Sequence, residues 1–367
     1  MRHHWTILAA TSCFAFATGC GSRPDGAQSQ AAPVVVDTRT PLAQAQQAAN
    51  AAFAEAYVAQ CSSDGSRPTV LVTGFGHFMD ITDNPTGRMV EALVPAAAYP
   101  TTSAPAGQVE DPATQTSVAA ATLNLPGVGD VDVCAMIVPV YWDLAAILIS
   151  KEIDAFGPGF VLMNGVADAT QPLWFELGSV NQAQIDPDGS QNLLPASPDG
   201  GVALPPLVPT AGPSDFARPL LASWGSIQGA ALGAIASQAA VSSSDGTTTF
   251  GATVTGAVFA GFPRDNTYLC NDTTYLVNYL MDHPGQSVEL LQPSTGGPGV
   301  VAMLANDASN VPREFVHWPT TLTGPLVTAG SQVMQAILAA QLASLASGDT
   351  PTRGDNAMAD PSLAGSP

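Results

Sequence analysis

Residues 69–78 read TVLVTGFGHF. Val70, Leu71 and Val72 make a short apolar run rich in β-branched side chains, entered through Arg67-Pro68 and left through Thr73-Gly74. A run so short and so apolar, bounded by turn residues, reads as a buried strand. Three more runs have this character: VCAMIVPV at 133–140, GFVLMNG at 159–165 and ATVTGAVF at 252–259. Between and after them lie helical stretches at 87–94, 142–156, 270–281 and 329–346. The last carries Val333, Ile337, Leu338, Leu342 and Leu345 on one side. Strands alternating with helices predict an α/β fold, a single α/β/α sandwich with a mostly parallel twisted sheet and helices on both faces.

Working outward, Thr40-Pro41 opens an alanine- and glutamine-rich segment with Leu42, Ala49, Phe53 and Tyr57 at near-helical spacing, which reads as a helix behind a threonine cap. Segments 95–130, 186–212 and 285–312 are dense in Pro, Gly, Ser and Asp and read as long surface insertions. The expected organisation is a signal at 1–20, a tether and N-terminal helix at 21–66, the α/β domain at 67–346 and a disordered tail at 347–367.

The start of the chain has the pattern of an export signal: Arg2, His3 and His4, then an apolar stretch from Trp5 to Ala17 too short to span a bilayer. Ala17-Thr18-Gly19-Cys20 resembles a bacterial lipobox, which implies acylation of Cys20, a lipid anchor and a cell-envelope or periplasmic location; ordinary cleavage after Ala15-Phe16-Ala17 is the alternative. Both routes take the chain out of the cytoplasm. Ten basic residues stand against 30 acidic ones, for a formal net charge of -20, and Lys151 is the single lysine. No basic stripe is available to neutralise phosphates, so nucleic acid is excluded as a partner.

Of five cysteines, Cys13 and Cys20 belong to the signal region. Cys61 and Cys134 can pair in an oxidising compartment, leaving Cys270 as an odd thiol, although spacing does not fix the connectivity. No CxxC, HExxH or G-x-S-x-G occurs, so no zinc site, metal hydrolase or serine-hydrolase elbow is expected. No cofactor is implied either.

In a parallel α/β sheet, ligands gather where strands end and helices begin. Four stretches are expected there: TGFGHF at 73–78, NGVADATQPLWFE at 164–176, RDNTYLCND at 264–272 and, in a late loop, EFVHWP at 314–319. Cys270 opens a helix, where unpaired N–H groups favour thiolate. His317 sits on an apolar run and Glu176 among Leu173, Trp174, Phe175 and Leu177, places where a polar group needs a partner. His283, before Pro284, reads as a helix cap.

TGFGHF followed by Asn84-Pro85, VPV at 138–140, the stretch 165–181, TYLCN at 267–271 and FVHWP at 315–319 together resemble pyroglutamyl-peptidase I, a cysteine peptidase family that removes an N-terminal pyroglutamate. The resemblance implies Cys270 as nucleophile, His317 as general base, Glu176 as its orienting carboxylate, and Phe75 and Phe78 as the aromatics around the lactam ring. It implies a peptide partner with a blocked N-terminus and allows a homo-oligomer, with the insertions placed to reshape the pocket or block that assembly. The chain departs from the family's Gly-Gln-Ala-Gly-Gly-Arg at Gly165-Val166-Ala167-Asp168-Ala169-Thr170, carries His77 where proline is common, and has Leu177 after the glutamate. Those departures leave a second expectation open, an inactive peptide- or partner-binding lipoprotein on the same fold. His77 is expected to be a solvent-facing loop residue.

Overall fold

The computed structural model describes residues 40–78, 81–167, 171–184, 188–189, 206–212, 215–260, 267–292 and 298–354. Cys20, the signal region, Asp168, Ala169 and Thr170 therefore lie outside the described residues.

Seven principal strands are β1 (Thr69–Phe75), β2 (Ser117–Leu125), β3 (Gly129–Val138), β4 (Phe160–Ala167), β5 (Gln171–Glu176), β6 (Val254–Ala260) and β7 (Arg313–Pro319). The main helices are α1 (Pro41–Ala56), α2 (Pro85–Leu93), α3 (Leu144–Phe156), α4 (Trp224–Gln238), α5 (Leu269–Asp282) and α6 (Pro325–Ala346). With the short segments Leu220–Leu221 and Thr352–Arg353, the strands form one nine-stranded sheet. Its spine runs β7-β4-β1-β3 in parallel; β2 flanks β3 antiparallel, while β5 pairs antiparallel with β7 and parallel with β6. The fold is an α/β sandwich with a mostly parallel sheet.

Alternation along the strands divides the core in two. Leu71, Met163 and Phe315 face α1, α3 and α5, which contribute Ala54, Ile147 and Leu276. Val70, Leu162, Val316 and Trp318 face α2, α4 and α6, which contribute Met89, Ile227 and Ile337. These central strands are covered on both faces, which is why they carry no polar alternation. Among the described residues α6 alone is long and apolar enough to cross a membrane. It packs against α2 and α4 as a core helix.

Local chemistry explains several element starts. Thr40 Oγ1 accepts from Ala43 N at 3.2 Å and Asn84 Oδ1 from Thr86 N at 3.1 Å, and each cap is followed by proline at the first helical position. Gly74 and Gly87 let α2 press on the end of β1, because a Cβ on either would collide with the other element's backbone.

The structure corrects several expectations. Residues 117–125, inside the segment read as the first insertion, are the sheet strand β2. Residues 288–290 and 300–302, inside the third, form an antiparallel hairpin. EFVHWP belongs to β7, a central strand and not a loop. Its Arg313 and Glu314 disguised it, since both are buried: Arg313 is held by Asn278 Oδ1 at 2.7 Å and by Asp282. Thr352–Arg353, in the segment read as a disordered tail, adds to the sheet edge. Cys61 and Cys134 form a disulfide that ties the segment after α1 to β3. Beside it the buried Glu152 accepts from Tyr57 Oη at 2.5 Å, Gln60 N at 2.7 Å and Cys61 N at 3.0 Å, so its carboxyl oxygens are matched by three donors.

Candidate active site

The site is built where β4, β7 and β5 run side by side. Cys270, the one free cysteine among the described residues, is the second residue of α5, whose N-cap is Tyr268. A Cβ placed on Gly165 near the end of β4 would lie 2.8 Å from Cys270 Sγ and 2.7 Å from Phe315 Cζ. Only the missing side chain lets the sulfur settle onto the sheet there. His317 is the register partner of Gly165 across the parallel β4–β7 pair. Register partners point to the same face, so the imidazole rises beside the sulfur. On the far side of β7, His317 pairs with Trp174 of β5, and Glu176 lies two residues further along, again on that face. Glu176 Oε1 comes within 3.2 Å of His317 Nε2. The three side chains expected to act together thus meet on one face of the sheet, Cys270 reaching down from α5 onto β4, His317 rising from β7 and Glu176 from β5.

The frame around them is pinned by side chains that sequence reading passed over. Asn271 Oδ1 accepts from Val180 N at 2.8 Å, while its Nδ2 donates to Val180 O at 3.0 Å and Gln182 O at 2.9 Å, locking the segment after β5 to the start of α5. Thr274 Oγ1 donates to Cys270 O at 2.7 Å. Asn164 joins three strands, donating to Thr73 O at 2.8 Å and accepting from Trp318 Nε1 at 2.9 Å. The signal for Asn164 and Asn271 was available, since a buried amide in an apolar run needs such partners.

Burial dominates the electrostatics. It pushes Glu176 up to about 8, with a hydrogen bond from Thr274 opposing, and pushes His317 down to about 4. The Cys270 thiol is raised by burial first and by the Glu176 charge second. Desolvation thus opposes the thiolate that the helix start is expected to favour. Nε2 of His317 makes no hydrogen bond among the described residues, so its approach to Glu176 is close but off-axis. Such contacts commonly tighten only when substrate arrives.

Cys270 opens into a cavity of about 170 Å³ lined by Phe75, Phe78, Ile81, Val140, Val166, Tyr268 and Leu269, with Asn84 and Thr320 among its polar neighbours. Drug-sized pockets run to several hundred Å³, so this one holds a single small group. The Tyr268 ring braces the wall, edge-on to Phe78 at 5.8 Å and to Trp142 at 5.4 Å. His77, expected to face solvent, instead pairs with Glu110 at 3.3 Å. Burial pushes Glu110 up, but hydrogen bonds from His77 and Tyr141 outweigh it and hold the carboxyl below its ordinary value. Glu110 is fixed in turn by Gln46 of α1, whose Oε1 accepts from Glu110 N at 2.6 Å and whose Nε2 donates to Glu110 O at 2.7 Å. The segment read as an insertion thus braces the aromatic loop. His283 caps α5 as expected, its Nδ1 2.8 Å from Tyr279 O.

Among the described residues the grouping close enough to share a metal ion is Cys61, Cys134 and Glu152. There the two sulfurs are already bonded to each other.

No protein-family model matches this chain, and no curated protein matches it. Solved structures similar to it include the pyrrolidone carboxyl peptidase of Thermococcus litoralis, at 14% identity over 77% of this chain and 96% of that one with a TM-score of 0.46. Pyroglutamyl peptidase I of Bacillus amyloliquefaciens is 13% identical over 76% of this chain and 98% of that one, with a TM-score of 0.43. A mutant pyrrolidone carboxyl peptidase of Pyrococcus furiosus is 15% identical over 76% and 99%, also at 0.43. Identities of this size say nothing of chemistry, which rests on the side chains of this chain.

Proposed function

We propose that the chain is a cysteine peptidase that removes a small blocked N-terminal residue, pyroglutamate in the first instance, by acyl transfer to Cys270. The observation that carries this reading is the placement of Cys270 Sγ over Gly165, beside the register partner His317, with Glu176 Oε1 3.2 Å from that imidazole. The small, carbon-lined cavity at the sulfur supports it, since an uncharged ring enters where a free amino terminus would be left desolvated.

In this mechanism the Cys270 thiol passes its proton to His317 as the sulfur attacks the acyl carbonyl, forming the C–S bond. Nε2 faces Glu176, which leaves Nδ1 for the sulfur side. The free N–H groups of the first turn of α5 hold the oxyanion. His317 then gives the proton to the departing amine, and the C–N bond breaks. Water, deprotonated by the same imidazole, hydrolyses the thioester and restores the thiol. Glu176 holds the ring and stabilises its cationic form. The test is release of a fluorophore from a pyroglutamyl amide by the purified chain. Turnover no greater than that of Cys270→Ala would refute the reading.

One observation favours a second reading, a peptide-binding protein without turnover: Val166 contributes only carbon to the pocket, and burial raises the Cys270 thiol above its ordinary value. Iodoacetamide separates the two. A working nucleophile reacts faster than a model thiol at neutral pH, and a relic does not.

Export is part of the proposal. The Cys61–Cys134 disulfide supports an oxidising compartment, and the lipobox-like end at Cys20 supports a lipid anchor. Cys20→Ser should then move the chain from the membrane fraction to the soluble one.

A further inference from the structure

Read across the sheet, the site has a direction. The acyl cavity draws on Phe75 at the end of β1 and on Val140 just beyond β3. Next comes β4, with Cys270 Sγ over Gly165. Then comes β7 with His317, and beyond it β5, where Trp174 is the register partner of His317. Because the same imidazole takes the proton from the sulfur and gives it to the amide nitrogen, the scissile C–N bond must lie along the Cys270–His317 pair, with its carbon at the sulfur and its nitrogen at His317. The leaving amine, held at His317, is therefore directed toward β5. Trp174 is the first side chain it meets.

Trp174 is also unusual for its strand. Its neighbours Leu173, Phe175 and Glu176 are buried, whereas Trp174 stays partly exposed, on the face that bears the imidazole, with ring centroids 6.4 Å apart and planes tilted by 34°. It does not line the acyl cavity. A large indole kept partly open beside a catalytic imidazole offers an apolar face to whatever follows the scissile bond.

We propose that Trp174 forms the leaving-group subsite and selects an apolar or aromatic residue immediately after the blocked one. This rests on the proposed acyl transfer for its orientation. Stacking an aromatic side chain on the indole adds to simple burial, enough for about a tenfold preference over glycine at that position.

Equilibrium binding to the full chain carrying Cys270→Ala tests it, with pyroglutamyl-phenylalaninamide and pyroglutamyl-glycinamide as probes and calorimetry as readout. The aromatic amide should bind about tenfold tighter. Adding Trp174→Ala should bring the ratio to about one, and Trp174→Phe should keep most of it. Equal affinities in the Cys270→Ala chain, binding of neither amide, or a preference that survives Trp174→Ala would each overturn the subsite. The comparison of the two amides, with Trp174→Phe beside it, decides the matter even if Trp174→Ala does not fold. Turnover of the same amides by the unsubstituted chain distinguishes this inference from the reaction it rests on. A binding preference with no turnover removes the peptidase and leaves the subsite, and turnover without any preference does the reverse.

Discussion

Cys270 Sγ rests 2.8 Å from the point where a side chain on Gly165 would begin. The sulfur occupies the space of that missing side chain, one strand from His317. Gly165→Ala should therefore act on chemistry before it acts on folding. The added methyl meets Phe315 at 2.7 Å as well, so one of the two neighbours must shift. Overpacking of this kind costs about 1–3 kcal/mol, and a displaced nucleophile costs on the order of a hundredfold in rate. Turnover of a pyroglutamyl amide should fall at least about tenfold, with the iodoacetamide rate falling alongside, while a cooperative thermal transition remains. Unchanged alkylation would mean that the sulfur does not sit where Gly165 leaves room.

Glu176 gives the site a pH signature. Its carboxyl is raised from 4.5 to about 8 by burial, so between those values the folded chain holds a proton that the unfolded chain has lost. Stability from this group is full at low pH and declines as pH rises through about 8. Glu176→Gln should remove the decline. Denaturant midpoints should agree near pH 5 and favour the variant near pH 8 by roughly 1–3 kcal/mol. Activity should move the other way. Above pH 8 the ionised carboxylate supports the imidazolium, so turnover should climb toward that pH in the native chain, and the climb should vanish in Glu176→Gln. His317, lowered to about 4, should add stability as pH rises from about 4 to 6.5.

Much of this geometry was legible in the sequence because it follows from local chemistry. TVLVTGF announced a strand, Thr40-Pro41 announced a helix, and the isolation of Cys270, His317 and Glu176 among apolar neighbours marked them as needing partners. What stayed hidden depends on pairing between distant segments. β2 is an edge strand built around Ala119, Ala120 and Ala121, half-exposed, with little of the β-branched density that marks β1. α4 carries Gly225, Gly229 and Gly233, which mask its helical pattern. The alignment of Trp174 with His317, and so the order of the site across the sheet, is a matter of strand register between residues far apart in sequence. No local preference encodes it.

The Cys61–Cys134 link closes a separation of 73 residues. On chain entropy alone, a loop of that length stabilises the fold by about 4 kcal/mol. The double substitution Cys61→Ser, Cys134→Ser should lower the midpoint of denaturation by about that amount or less, since Glu152 keeps its bonds to Tyr57 and Gln60. Treatment of the native chain with a dithiol reductant should reproduce the loss. A change below about 1 kcal/mol would show that packing of α1 on α3 already holds this segment, against the entropic account.

The start of α5 is also held by two buried carboxyls. Asp272, two residues after Cys270, accepts from Asp143 N at 3.1 Å, and Asp143 Oδ2 accepts from Leu291 N at 2.6 Å. Asp143 adopts a φ of 61° and Leu291 a φ of 52°, so the bond between them joins the two non-glycine residues with positive φ among those described. Burial raises Asp143 to about 6, and burial with the neighbouring Asp143 charge raises Asp272 well above its ordinary value. Asp188, which accepts from Trp142 N at 3.0 Å, adds a further negative neighbour. Folding therefore keeps protons on this cluster that the unfolded chain releases, and stability from it should fall as pH rises from about 4 through 6. Asp272→Asn keeps an oxygen for Asp143 N and supplies an N–H to the facing carboxylate. The variant should match the native chain at pH 4 and exceed it by roughly 1–3 kcal/mol at pH 7.5, read as denaturant midpoints. Because the same cluster seats the first turn of α5, the native chain should also lose iodoacetamide selectivity for Cys270 as pH is raised toward unfolding, later in the variant than in the native chain. Equal pH dependence in the two proteins would mean that the cluster is already fully ionised in the folded state and contributes nothing to how Cys270 is held.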